Sequence, residues 1–128
     1  MSSKLQVVAG VILCGESVLA ALCGPEMRNS GTWEFPGGKV EVGETPEAAL
    51  ARELFEELGV VVKVHESLGV SELGAIRLEA FAVTILSGQP TPLEHAELRW
   101  IHADELDRIE WSEADRPLLH SVRARLHR

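Results

Sequence analysis

Residues Glu34–Val60 read EFPGGKVEVGETPEAALARELFEELGV, a glycine-containing loop that runs into a helix crowded with carboxylates. Thr45 can cap the N-terminus of this helix, Pro46 suits its first position and Gly59 supplies a left-handed stop, so the spacing predicts a helix over Pro46–Leu58. Ala48, Leu50, Leu54, Phe55 and Leu58 are expected to supply its core contacts. Glu53, Glu56 and Glu57 fall at i, i+3 and i+4, which places three carboxylates side by side on the other face. Each such pair costs about 0.2–0.5 kcal/mol in repulsion, and Glu56 and Glu57 also sit at the helix end whose dipole disfavours anions. A cation removes both penalties. Hard divalent ions such as Mg²⁺, or Mn²⁺ in its place, take all-oxygen ligand sets and bridge to phosphates, which suits a carboxylate cluster without His or Cys. The alternative is a solvated acidic face. Gly37 and Gly38 would let the backbone approach a metal or phosphate closely, although paired glycines alone signal only a turn.

The chain has 128 residues, enough for one domain spanning 1–128 with a core of its own, and its hydrophobic content of 45% is that of a globular protein. Twelve Lys and Arg against 20 Asp and Glu give a net charge of −8, with no basic run to track a nucleic-acid backbone, so polymer binding is not expected. From Glu34 to Glu57 seven glutamates face only Lys39 and Arg52, so a polyphosphate could approach only with metal ions neutralising the site. Two cysteines, Cys14 and Cys23, both in apolar settings, read as buried thiols of a reducing, cytoplasmic compartment. Lys4 before the apolar run Leu5–Cys14 imitates a secretory leader, but the run alternates and Gly15-Glu16 breaks it. No apolar stretch is long enough to span a bilayer.

Leu5–Leu13 and Val18–Leu22 read as a first hairpin, followed by a loop from Cys23 to Thr32 whose one cation is Arg28. After the helix, Val60–Val64 and Leu68–Leu73 are modest strands. Ile76–Leu86 alternates in the manner of a strand covered on both faces. Leu98–Ile101 resumes strand character before an acidic turn at Asp104–Asp107, and Pro117 starts a last helix with an apolar stripe of Leu118, Leu119, Val122 and Leu126. Strands interspersed with two main helices predict an α/β fold with a mixed sheet between helical layers.

The run Gly38, five residues, Glu44, seven residues, then Arg52-Glu53-Leu54-x-Glu56-Glu57-x-Gly59-Val60 resembles the complete signature of the Nudix hydrolases, and more weakly the whole chain is similar to MutT-like nucleoside triphosphate pyrophosphohydrolases. The resemblance implies an α/β/α sandwich and Mg²⁺-dependent hydrolysis of nucleoside triphosphates to monophosphate and pyrophosphate, in the manner of nucleotide-pool sanitation. Carried over by position, Glu53, Glu56 and Glu57 would ligate the metal with the Gly37 carbonyl, Arg52 would orient a glutamate and Glu44 would brace the loop. Glu94, which precedes the Trp100 strand, is the leading candidate to orient the attacking water and a further metal ligand, with Glu97 and Glu53 in reserve; a loop surface charge is its alternative. Cys23 stands where such proteins carry a phosphate-holding arginine, which leaves Arg28 either as its substitute or as an ordinary surface residue. Glu34, Phe35 and Lys39, flanking the glycine pair, complete the substrate-binding candidates.

Asp115 stands just before Pro117, where the MutT-like resemblance implies an Asn or Asp that contacts the base edge, its alternative being a cap for the last helix. As an ionised acceptor it would favour cytosine N4 or a guanine edge without separating the two; the Ala114-Asp115-Arg116-Pro117-Leu118-Leu119 run and the arrangement of Glu94, His95 and Trp100 resemble the CTP-cleaving branch, which implies CTP, dCTP and their 5-substituted forms ahead of oxidised dGTP such as 8-oxo-dGTP. Trp33, Phe35 and Trp111 could stack on a base or serve the core. The competing classes are a nucleoside-diphosphate sugar or dinucleotide hydrolase and a ligand-binding module that cleaves nothing; retention of all three glutamates argues against the module. The partner expected is a free nucleotide, not a nucleic acid polymer or a membrane, and the protein would act as a monomer or small homo-oligomer.

Overall fold

The computed structural model describes residues 4–126; the first three and last two residues of the expected 1–128 domain lie outside the described residues. Seven strands, β1 (Leu5–Cys14), β2 (Ser17–Leu22), β3 (Trp33–Glu34), β4 (Gly37–Lys39), β5 (Val61–Leu73), β6 (Ile76–Ser87) and β7 (Glu97–His102), join with helices α1 (Pro46–Leu58) and α2 (Leu119–Leu126). The sheet order is β3-β2-β1-β6-β5, with β4 paired to β1 and β7 paired to β2. β1 runs parallel to β6 and antiparallel to β2 and β4, so the sheet is mixed as expected. Alternation along β1 and β6 splits the core in two. Val8, Ile12, Phe81 and Val83 face α1, while Ala9, Val11, Leu78 and Ala80 face α2 and the layer around Trp111. Helices therefore cover both faces of the sheet.

α1 begins and ends where its capping residues place it. The Thr45 hydroxyl accepts from Ala48 N–H, and Gly59 closes the helix at φ 72°, its N–H donating to the Phe55 carbonyl. Ala49, Leu50, Leu54 and Leu58 are buried against the sheet, each leucine contributing about 1.5–3 kcal/mol of burial. Gly10 lets the helix lie this close, because a Cβ there would stand 2.9 Å from Leu54 Cδ1. Two expected core contacts are overturned. Phe55 is 59% exposed and Ala48 is exposed, with Ala49 taking the inward position; a helix turns 100° per residue, and the contact face is centred one residue further along than the apolar pattern indicates.

Three further expectations change. The two modest strands after α1 are one strand, β5, which stays paired with β6 across register shifts near Val61, Ser67 and Gly69. The acidic turn is a 3-10 turn over Ala103–Arg108, and Pro117 lies in another, Arg116–Leu118, that precedes α2. Cys23 is buried but Cys14, at the hairpin, is exposed. No helix among the described residues is long and apolar enough to cross a membrane.

Leu54→Ala should lower the free energy of unfolding by about 2–5 kcal/mol, whereas Phe55→Ala should change it by roughly 0.5 kcal/mol or less. Urea titration followed by tryptophan fluorescence measures both. Equal losses would contradict the assignment of Phe55 to solvent.

Candidate active site

The glycine pair and the acidic face of α1 are built into one another. β4 binds Gly37 opposite Ala9 and Gly38 opposite Val8, directly over Glu53. A Cβ at Gly37 would run into the Val8 carbonyl, and one at Gly38 would run into the Glu53 carboxylate, so both positions require glycine for close approach. Arg52 ties this layer together. Its Nε and Nη2 donate to the two oxygens of Glu44 at 2.7 and 2.9 Å, and Nη2 also donates to the Lys39 carbonyl at 3.1 Å. Nη1 donates to Glu53 Oε1 and Glu56 Oε1, each at 3.1 Å. The planar fork meets a carboxylate in two parallel bonds, which lysine could not do. Those bonds, with the Glu41 N–H, hold the Glu44 carboxyl down at about 2, and the glutamates hold the Arg52 guanidinium above its ordinary range.

The three signature carboxylates do not lie equally in one face. Glu56 is half-exposed and paired with Arg52, Glu53 sits beneath Gly38, and Glu57 is only 4% exposed. A solvated acidic face is excluded for Glu57. Burial first, and then a hydrogen bond and repulsion from Glu53 with more distant repulsion from Glu94 and Glu34, push the Glu57 carboxyl far above the usual range. Its Oε1 is buried without a hydrogen-bond partner. No three His, Cys, Asp or Glu side chains among the described residues already converge as a metal cage. The donors nevertheless fit a hard divalent cation chemically, since Glu53 and Glu57 are adjacent carboxylates and one buried oxygen lacks a partner. Glu94 is exposed, yet its charge reaches Glu57.

Beside this cluster lies a cleft of about 150 Å³ lined by Val8, Glu34, Phe35, Gly37, Ser112 and Asp115 among others. Asp115 is 3% exposed and makes no side-chain cap bond, so it is not the cap of the last helix. The Ser112 hydroxyl donates to its Oδ2 in a short hydrogen bond, and the Phe35 N–H also supports it. Burial outweighs both bonds and lifts its carboxyl to about 7. The raised carboxyl bears on the expectation of an acceptor only, because burial favours the protonated form, which donates as well. Phe35 lines the cleft and packs on Trp111 at a centroid distance of 4.6 Å. Trp111 itself is core, its Nε1 donating to the Leu106 carbonyl, and the Arg99 guanidinium stands 5.4 Å from the centroid of the Trp33 ring. Lys39 is exposed. Arg28 lines an adjoining outer pocket with Glu113 and not this cleft, and Asn29, Ile76 and Ala114 border both.

Three site residues escape a reading of the sequence. Asn29 and Ser112 reach the cleft only through tertiary packing; a serine three residues before an aspartate is the sole local signal for Ser112. His95 adjoins Glu94, but nothing local indicates that its ring is buried between Glu34 and Glu57.

This fold, with a glycine loop clasping a carboxylate helix, defines a class. The chain belongs to the Nudix hydrolase family, residues 4–122 matching the Nudix domain. A Mycobacterium tuberculosis protein with the provisional name 8-oxo-dGTP diphosphatase 2 is 45% identical over 115 residues, covering 86% of this chain and 82% of that one. The CTP pyrophosphohydrolase of Escherichia coli is 35% identical over 124 residues, covering 94% and 92%. The crystal structure of the MutT Nudix hydrolase from Burkholderia pseudomallei superposes with a TM-score of 0.80 at 27% identity, covering 94% of this chain and 98% of that one.

The raised Asp115 carboxyl has a consequence for stability. The folded chain holds a proton there that the unfolded chain releases above its ordinary value of 3.8, so stability is lost as pH rises through that interval to about 7. Asp115→Asn removes this loss. Its stability relative to the natural protein should climb by up to roughly 1.4 kcal/mol per pH unit across that window and then level off. Parallel stability curves for the two proteins, from urea titrations at stepped pH, would contradict the burial account.

Proposed function

We propose that this chain hydrolyses nucleoside triphosphates to monophosphate and pyrophosphate with Mg²⁺, or Mn²⁺ in its place. The observation that carries the reading is the buried, unpartnered oxygen of Glu57 lying against Glu53, alongside a cleft that ends on Asp115. Glu53 and Glu57 would hold the ion, with Glu56, Glu94 and the Gly37 carbonyl as further donors. When bound, the cation neutralises polyphosphate oxygens that this acidic site would otherwise repel. Arg52 keeps Glu53 in place through one Nη1 bond while its other bonds anchor it to Glu44 and Lys39. Glu94 is the residue proposed to orient the attacking water; it is exposed and close enough for its charge to be felt at Glu57.

In the cleft Phe35 would meet the flat face of the base and Asp115 its hydrogen-bonding edge. The ionised carboxylate accepts from cytosine N4 or from guanine N–H groups; the protonated carboxyl also donates to a base carbonyl, so oxidised guanine is served as well as cytosine. Relatives named for 8-oxo-dGTP and for CTP agree with both. The substrates proposed are therefore CTP, dCTP and 5-substituted forms together with 8-oxo-dGTP, in the manner of a nucleotide-pool sanitising enzyme acting on free nucleotides.

A nucleotide panel with Mg²⁺, scored for pyrophosphate against phosphate, tests the reaction. Pyrophosphate release that vanishes in excess EDTA is expected, and phosphate as the sole product or full turnover in EDTA would overturn it. Glu57→Gln should lower kcat by roughly 100-fold or more while the fold stays as stable or gains stability, because a neutral amide no longer has to take up a proton to be buried beside Glu53.

A further inference from the structure

The glutamate at the junction of cleft and acidic helix is held by a residue that the reaction scheme above leaves unused. We propose that His95 is a positioning residue whose imidazole fixes the Glu34 carboxylate between the base cleft and Glu57, so that turnover depends on His95 through Glu34. The proposal rests on the reading of this site as a nucleotide hydrolase.

The His95 side chain is 1% exposed, and its Nε2 stands 2.8 Å from Glu34 Oε2. Glu34 is an acceptor there, so Nε2 carries the proton and donates. Nδ1 then points toward Glu57 Oε1 at 3.9 Å, too far for a direct bond. Both of these atoms are buried without a hydrogen-bond partner. An ordinary core histidine would have both nitrogens satisfied, since an orphaned buried polar atom costs about 1–3 kcal/mol. Such a cost persists where a function requires the geometry. The backbone around the ring is tied to the same site: Leu93 N–H donates to the Glu57 carbonyl at 3.1 Å, and Ala96 N–H donates to the Leu22 carbonyl at 3.0 Å. β3 presents Glu34 from the other side by pairing it with Ala21. The imidazole thus spans from the sheet to the C-terminal end of α1, and Glu34 lines the cleft where it would meet a base or ribose.

A double-mutant cycle on the full chain decides this. His95→Leu should lower kcat/KM by roughly 10–100-fold, the range for partners that orient active-site groups. His95→Gln, whose amide donates from nearly the same place, should recover most of the loss. In a Glu34→Gln background, His95→Leu should cost less than about 2-fold, because the interaction is already gone. Nitrogen-15 spectra of the imidazole supply a readout independent of activity: the Nε2–H resonance should move in Glu34→Gln and stay in place in Glu94→Gln. Full kcat/KM in folded His95→Leu, or the same loss in both backgrounds, would overturn the proposal. Should His95→Leu fail to fold, His95→Asn, whose shorter amide stops short of Glu34, takes its place in the cycle. If the natural protein hydrolyses no nucleotide, the functional reading fails by itself, and an imidazole resonance unmoved in Glu34→Gln overturns the His95 link separately.

Discussion

The structure depends on one costly contact, the burial of the Glu57 carboxylate beside that of Glu53. Taking a carboxylate out of water costs several kcal/mol in its ionised form, and with a second carboxylate alongside Glu57 meets that cost by holding its proton far above the usual range. The surroundings have the character of a mould around that contact. Gly38 removes the side chain that would displace Glu53, Gly37 lets β4 lie against the Val8 carbonyl, Arg52 grips the outer glutamates, and the apolar face of α1 supplies the burial that holds the helix down. Leu50, Leu54 and Leu58 thus offset, in the hydrophobic layer, what the acidic layer destabilises.

The same arrangement explains why the cleft contains so little positive charge. Cys23, where a phosphate-holding arginine would be expected, is buried, and burial together with the neighbouring Glu34 pushes its thiol up to about 12. A neutral thiol offers a phosphate no charge. Arg28 lines an outer pocket with Glu113, and Arg52 is engaged by Glu44, Glu53 and Glu56. Nudix hydrolases generally use divalent cations, and in the reading proposed above a cation on the acidic helix would neutralise the polyphosphate.

Much of this was legible in the chain itself, for reasons that differ by element. α1 announces both ends through Thr45, Pro46 and Gly59, because capping is local chemistry. The spacing of Glu53, Glu56 and Glu57 places them together whatever surrounds the helix. Whether a side chain is buried is not local. Phe55 and Cys14 are apolar residues that packing leaves outside, while Glu57 and Asp115 are carboxylates that packing encloses. Burial raises the Asp115 carboxyl against the bonds from Ser112 and Phe35, and that burial is set by packing that the local sequence does not show. His95 shows the same limit: its partners Glu34 and Glu57 are brought to it by the sheet and the helix from distant parts of the chain.

In the proposed reading, Glu57 and Glu53 would hold a divalent cation before any nucleotide arrives. Electron paramagnetic resonance of Mn²⁺ titrated into the nucleotide-free protein measures this directly, because bound Mn²⁺ loses the six-line signal of the free ion. Saturable binding is expected, displaced by Mg²⁺ and weakened by roughly 10-fold or more in Glu57→Gln, with the fold intact by circular dichroism. Binding of equal strength in the natural protein and in Glu57→Gln, or no binding by either, would contradict this reading.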